Sequence, residues 1–278
     1  MTAPKRLVTT ALLLSFFLLS PAAYSIGPIG PIGPTVAGAQ KKPKPEDIVE
    51  RSIILYYGNR AGLYGIQRNG TLRALIKFIS PEGNREGKSV TKFIRKGKLA
   101  EDLLMIDLEL PGTRYIMGFD GQETWAIQDG EIQKPPQEAV DAFRSAHEHS
   151  YEALLRYKEN GSKLEYVGTN KLGTLEMDII DMTSPTGART RYEVSRRTGR
   201  IIYANYEDSK STPAKYRLYF KDFKVIQNTW VPHEIQVFQD GKLIEERKLV
   251  ESVFNIQLDE KAFKAENANK PTETAVQP

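Results

Sequence analysis

KYRLYFKDFKVIQNTWVPHEIQVF, running from Lys215 to Phe238, is the stretch that decides how this chain folds. Tyr216, Leu218 and Phe220 alternate with Arg217, Tyr219 and Lys221, the period-two pattern of a strand with one apolar face. Asp222–Asn228 breaks the alternation, and Val231, Ile235 and Val237 resume it after Trp230. Pro232 has no amide hydrogen to give a ladder, so it marks an edge, a strand start or a bulge. Upstream lie Leu175/Met177/Ile179, Tyr192/Val194 and Ile201–Tyr206, separated by turns at Ser184–Ala188 (SPTGA) and Arg196–Arg200 (RRTGR). Downstream, Asp240-Gly241 turns the chain into a strand near Leu243–Val250. Strands joined by turns this short are antiparallel neighbours, because a parallel pair needs a long crossover. Lys163–Phe263 therefore reads as one large meander.

The rest of the folded part adds to the same sheet. Leu72, Ala74, Ile76 and Phe78 alternate with Arg73, Leu75 and Lys77, and Ser89–Arg95 and Leu103–Leu110 follow as strands. Pro111-Gly112 leads into Tyr115–Phe119, and Asp120-Gly121 makes a hairpin into Glu123–Ile127. Two helices are expected. Pro45–Asn59 has Pro at its first turn, Glu46 and Asp47 beside the positive end of the dipole, and Gly58-Asn59 to stop it. Gln137–Lys158 carries Ala139, Ala142, Phe143, Ala146, Tyr151, Leu154 and Leu155, with Asn160-Gly161 as its C-cap. Helices segregated from a continuous antiparallel sheet mean an α+β fold. A sheet of about eleven strands tends to curl into an incomplete barrel, with the two helices covering its concave face. The expected organisation is a single domain over residues 45–263 and an unfolded tail over 264–278.

Ahead of the domain, Lys5-Arg6 precedes the apolar run Leu7–Ser20, short for a bilayer-spanning helix. This pattern predicts a secretory signal peptide cut after Ser25 or after Ala39, with an uncleaved N-terminal anchor as the competing reading. Gly27–Pro34 (GPIGPIGP) reads as an extended spacer; collagen would need many more triplets. The 278 residues hold 39 Lys+Arg against 35 Asp+Glu, a formal net charge of +4, too near neutral for a nucleic-acid footprint. There is no cysteine, which excludes disulfides, thiolate catalysis, cysteine metal sites and lipid attachment at an N-terminal cysteine.

No catalytic constellation is visible, so the chain is not expected to be an enzyme. His147 and His149 stand at i and i+2, not the i, i+4 spacing of a helical zinc site, and read as part of an exposed helix face. His233 is likewise expected to face solvent, opposite Ile235. No serine sits in a nucleophile elbow, and Gly58–Gly62 and Gly83–Gly87 lack the Lys-Ser/Thr ending of a phosphate loop. Asp107/Glu109 and Glu176/Asp178 are spaced to share a strand face, which suits a metal or acid–base pair but also any solvated sheet face. No cofactor is expected. On each strand the charged residues fall on one face, so the other must be dry. That reasoning makes Leu104, Ile106, Leu108, Phe119, Trp125, Leu175, Met177, Tyr192, Leu218 and Phe220 the candidate hydrophobic wall of the concave side.

The leader, the short helix, the hairpin GFDGQETWAI (Gly118–Ile127), the second helix and the closing half TGRIIYANYE…VFNIQLDEKAF together resemble the periplasmic lipoprotein-carrier superfamily, LolA/LolB-like, over about residues 46–263. The hairpin is similar to that family's hydrophobic strand, Asp-Gly and following Trp. The resemblance implies an incomplete antiparallel barrel whose helical lid closes over a hollow for acyl chains. It implies a monomeric carrier in the periplasm that moves lipoproteins or lipids towards the outer membrane, with an inner-membrane transporter and an outer-membrane acceptor as further partners. The alternative it leaves open is an envelope sensor or structural module that binds a protein. Carriers of the well-known type tie the lid through an Arg-Pro pair at the end of an early strand. Arg95-Lys96-Gly97 lies in the comparable place without the proline, so that role does not transfer by sequence alone.

Overall fold

The computed structural model describes residues 42–65, 67–208 and 213–268. The expected leader and Gly/Pro spacer, and the tail beyond residue 268, lie outside them. Helix α1 spans Pro45–Tyr57 and α2 spans Arg60–Gly65. Gly58 ends α1 with φ 75°, its amide donating to Ile54 O at 2.8 Å, and Ile48, Val49, Ile53, Tyr56 and Tyr57 form the buried stripe. Burying each such side chain stabilises the fold by roughly 1.5–3 kcal/mol, which is what holds so short a helix in place.

Six strands follow: β1 (Asn69–Phe78), β2 (Arg85–Ile94), β3 (Leu103–Leu110), β4 (Thr113–Phe119), β5 (Thr124–Gln128) and β6 (Glu131–Gln133). Helices α3 (Gln137–Glu148), α4 (Tyr151–Leu155) and α5 (Tyr157–Asn160) come next. Then come β7 (Lys163–Leu172), β8 (Leu175–Thr183), β9 (Arg189–Ser195), β10 (Ile201–Glu207), β11 (Lys215–Ile226), β12 (Thr229–Gln239) and β13 (Lys242–Phe254). A 3-10 turn, Glu260–Phe263, and α6 (Ala265–Ala268) close the described chain. All thirteen strands form one antiparallel sheet in the order β6-β5-β4-β3-β2-β1-β13-β12-β11-β10-β9-β8-β7. The sheet does not close on itself, so it is a curved, incomplete barrel made of two meanders joined where β1 pairs with β13.

Several details differ from the sequence expectation, each for a local reason. The two strands beyond the expected eleven are the edges β6 and β7; β6 is three exposed residues, and β7 has a register shift at Val167, between Tyr166 and Gly168. The single helix expected over Gln137–Lys158 is divided, because Ser150 caps α4 with its side-chain oxygen, accepting from Ala153 N at 3.3 Å. Gly161, with φ 70°, ends α5 as its sequence position suggested. Between β11 and β12 there is no broad interruption: Gln227 and Asn228, at φ 47° and 62°, make a two-residue hairpin turn. The 3-10 turn and α6 carry the folded region to Ala268, past the expected boundary at 263.

Candidate functional site

Directly paired residues of an antiparallel sheet share a face, so the register assigns every side chain to one side or the other. Phe93, Leu104 and Phe119 pair across β2, β3 and β4; Thr91, Ile106 and Met117 make the next row, and Ser89, Leu108 and Tyr115 the third. Helix α3 rests Val140 and Phe143 on this face. Through Leu72, Ala74 and Ile76 of β1 and Leu249 and Arg247 of β13 it continues to Ile235 and Val237. From there it runs to Leu218 and Phe220, and by way of Ala204 to Tyr192. Helices α1 and α4 cover its far part, packing against Ile180, Tyr192, Val194 and Phe220.

Of the candidate wall, Leu104, Ile106, Leu108, Phe119 and Leu218 lie on this helix-bearing face and remain half-buried. Tyr192 and Phe220 lie on it too, but inside the core. The Tyr192 hydroxyl donates to Ser150 O at 2.8 Å, and the Phe220 ring meets Tyr151 edge-on at 5.5 Å. Trp125, Leu175 and Met177 do not join the wall. Trp125 pairs with Gly118, next to Phe119 but on the reverse side of the sheet. A Cβ at Gly118 would fall 2.3 Å from the indole, so only glycine fits there. The indole N–H donates to Phe263 O at 2.8 Å, and Trp125 packs with Leu103, Met105, Ile116 and Ile127 beneath the C-terminal segment. Met177 pairs with Ser195 while its neighbour Asp178 pairs with Val194, which turns Met177 and Leu175 to the reverse side with Ile202 and Tyr203. The assumption of one dry face per strand fails in both places, because each of these patches has its own apolar cover or partners.

Two buried ion pairs fasten the helices to the sheet. Arg95, its side chain 7% exposed, pairs with Glu152 of α4 and donates to Gln67 Oε1 at 2.9 Å and to the Tyr57 hydroxyl of α1 at 3.4 Å. Arg95 thus links the end of β2 to both helical elements. Asp102 takes hydrogen bonds from Arg156 and from His147 at 3.2 Å, while Arg156 also donates to Lys96 O at 2.9 Å. Burial alone would raise the Asp102 pKa, but the His147 and Arg156 hydrogen bonds outweigh it and hold the carboxyl below its ordinary value.

The helix-face histidine His149 is buried, not exposed. Its ring stacks on Tyr206 at 3.8 Å and 6°, Tyr206 stacks on Tyr216 at 5.1 Å, and its Nδ1 lies 2.6 Å from Thr190 Oγ1. Desolvation lowers its pKa to about 4. His233 is buried as well, on a strand position two residues from Ile235 and therefore on the same side, which corrects the solvent-facing expectation. An open cleft of about 1390 Å3 borders the His149–Tyr206–Tyr216 stack, and its lining is mixed, with Arg144, Arg189 and Asp181 among the aromatic rings. Cations engage Asp107 and Asp178, one member of each acid pair. Asp107 takes a two-pronged grip from Arg114 at 2.9 and 2.6 Å, and Asp178 meets Arg51 at 3.2 Å and Arg196 at 3.4 Å. Among the described residues no group of three His, Asp or Glu could hold a metal ion.

No family model matches the chain, and no curated protein matches it in sequence. Solved structures do. A DUF1329 family protein from Desulfovibrio piger superposes with TM-score 0.56 at 14% identity, over 80% of this chain and 98% of its own. A putative outer membrane lipoprotein-sorting protein domain from Vibrio parahaemolyticus gives 0.56 at 12% identity, over 81% and 99%. A LolA superfamily protein from Nitrosomonas europaea gives 0.55 at 9% identity, again over 81% and 99%. The chain has the LolA-like fold: an open antiparallel half-barrel with helices on its inner face.

Proposed function

We infer that this protein is a carrier of acyl chains, working in the periplasm after export by its N-terminal leader. One observation carries the reading. Leu104, Ile106, Leu108, Phe119, Leu218, Ile235 and Val237 form half-buried apolar rows on the inner face of an unclosed sheet, where helices cover only part of the surface. A second strand layer would bury such rows completely; a helical lid leaves them partly open to a ligand. Each CH2 of an acyl chain laid on them contributes roughly 0.8 kcal/mol, so a chain of fatty-acid length supplies useful affinity. Release requires the helices to move, since the sheet is hydrogen-bonded from β6 to β7. The structure similar in fold and named for outer membrane lipoprotein sorting supports a cargo of lipoproteins or lipids bound for the outer membrane; transporter and acceptor partners in the two membranes are part of the same proposal.

Mass spectrometry of organic extracts from protein purified without detergent tests this directly. Acylated molecules should co-purify, and Leu108→Glu or Leu218→Glu should abolish their recovery from folded protein. An empty extract, together with both variants behaving as the parent does, would refute the carrier.

A further inference from the structure

The inner face is not wholly apolar. Arg85 of β2 pairs with Phe78 of β1, which pairs with Glu245 of β13; in the adjacent row Ile76 pairs with Arg247. Val237 and Ile235 continue those rows into β12, and Leu218 and Phe220 into β11. Arg85, Glu245 and Arg247 therefore point into the same half-barrel as the apolar rows, with the two arginines on the strands flanking β1. Strands lie about 4.8 Å apart, so Arg247 is only about 14 Å, three strand spacings, from the Leu108 strand.

Two guanidiniums share these rows with one carboxylate. Arg247 Nη2 donates to Glu245 Oε1 at 2.5 Å, whereas its Nε is shielded from solvent with no acceptor. Arg85 Nη1 is shielded and unpartnered in the same way, and Arg85 makes no ion pair among the described residues. Shielded donor atoms without acceptors are unfavourable, and of the three on arginines among the described residues two, Arg85 Nη1 and Arg247 Nε, lie in these rows. A guanidinium presents paired N–H groups that match a carboxylate or phosphate.

We propose that Arg85 and Arg247 form an anion-binding subsite within the inner face, so that the acyl ligand carries a carboxylate or phosphate and lies with that group on β1 and its chain across Leu108 or Leu218. This rests on the acyl-carrier reading and narrows it to anionic amphiphiles. An amphiphile is favoured over a free anion because Phe78, Ile76, Ile235 and Val237 surround the arginines, and a small hydrated ion gains nothing from them.

Titration calorimetry with dodecanoate, dodecyl phosphate, dodecanol and inorganic phosphate tests the subsite on the purified full chain. Hydrogen bonds to charged groups predict that both anionic amphiphiles bind about ten- to a hundredfold tighter than dodecanol. Arg85→Gln, which breaks no ion pair, should shrink that preference, and Glu245→Gln, which frees Arg247, should enlarge it. Thermal melts establish that both variants fold. Equal affinity for dodecanol and dodecanoate would overturn the subsite while leaving the carrier intact. Binding of none of the dodecyl compounds would overturn both. Inorganic phosphate binding as tightly as dodecyl phosphate would overturn the amphiphile in favour of a free anion.

Discussion

Acidification should weaken this fold through a single buried ring. His149 is wedged between α3 and the sheet, flat against Tyr206 and bonded to Thr190, with Glu148 beside it as the nearest opposing charge. Burial lowers its pKa to about 4, against 6.5 when the chain is unfolded. The unfolded state therefore binds the proton first as pH falls. Stability tied to this ring is fully present above pH 6.5 and lost progressively towards pH 4. Linkage over that shift gives a loss of about 2 kcal/mol between pH 7.5 and pH 5, or roughly 4–8 °C in Tm for a domain of this size. His233, also lowered by burial, adds a loss of the same sign. Asp102 acts with the same sign, but at lower pH. Its depressed pKa stabilises above the ordinary carboxylate range, and that contribution is lost only below it, outside this window. Urea unfolding of the parent and of His149→Phe at both pH values isolates the ring, because His233 is common to both. The variant should start less stable at pH 7.5, having lost the Thr190 bond, and the gap should close by about 2 kcal/mol at pH 5. Equal losses in the two proteins, or a His149 titration near 6.5 by NMR, would refute the reasoning.

Three further outcomes follow from the packing. Phe263→Ala should cost about 3–5 kcal/mol in urea and, in a Trp230→Phe background, shift Trp125 emission to the red as its cover is lost. Asp102→Asn or Arg156→Met should each cost about 3–5 kcal/mol, and the double variant less than their sum, because each single change strands the other buried charge. Arg95→Ala should raise amide exchange in Tyr151–Leu155, measured by mass spectrometry, while protection in β11 and β12 persists.

The fold was largely legible because period-two patterns and short turns are local signals. Leu103–Leu110 reads as a strand from its residues alone, and Asp120-Gly121 and Asp240-Gly241 fix antiparallel neighbours. Which neighbour lies beyond the ends of each meander is a different matter. Nothing in β1 announces β13 as its partner, since that choice is made by packing across the whole domain. Which residues share a face was legible within a strand and not between strands. Leu104, Ile106 and Leu108 fall together because they alternate along one segment. Trp125 was misplaced because its side depends on pairing with Gly118 and on a C-terminal segment, distant in sequence, that dries the outer face. His149 was misread for a related reason: Ser150 restarts the helix, so the spacing of a continuous helix does not set where the ring points. Arg85 and Arg247 were invisible as a pair because only the β2-β1-β13 order places them around one strand.

The β1–β13 pairing also dictates when the molecule can be finished. Each meander assembles from sequence neighbours, with hairpins closing in microseconds. The seam between them joins Gly70 to Phe254, at opposite ends of the domain, and bears the full entropic cost of bringing those ends together. Until β13 arrives, β1 is an unpaired edge carrying Leu72, Leu75, Ile76 and Phe78, the kind of edge that recruits other chains. A chain threaded across a membrane from its N-terminus would hold β1 in that state throughout its passage. The wait for β13 is then a slow and aggregation-prone stage of folding. If the chain is exported as proposed, cells short of periplasmic holdases should lose it before they lose envelope proteins whose first strands pair early.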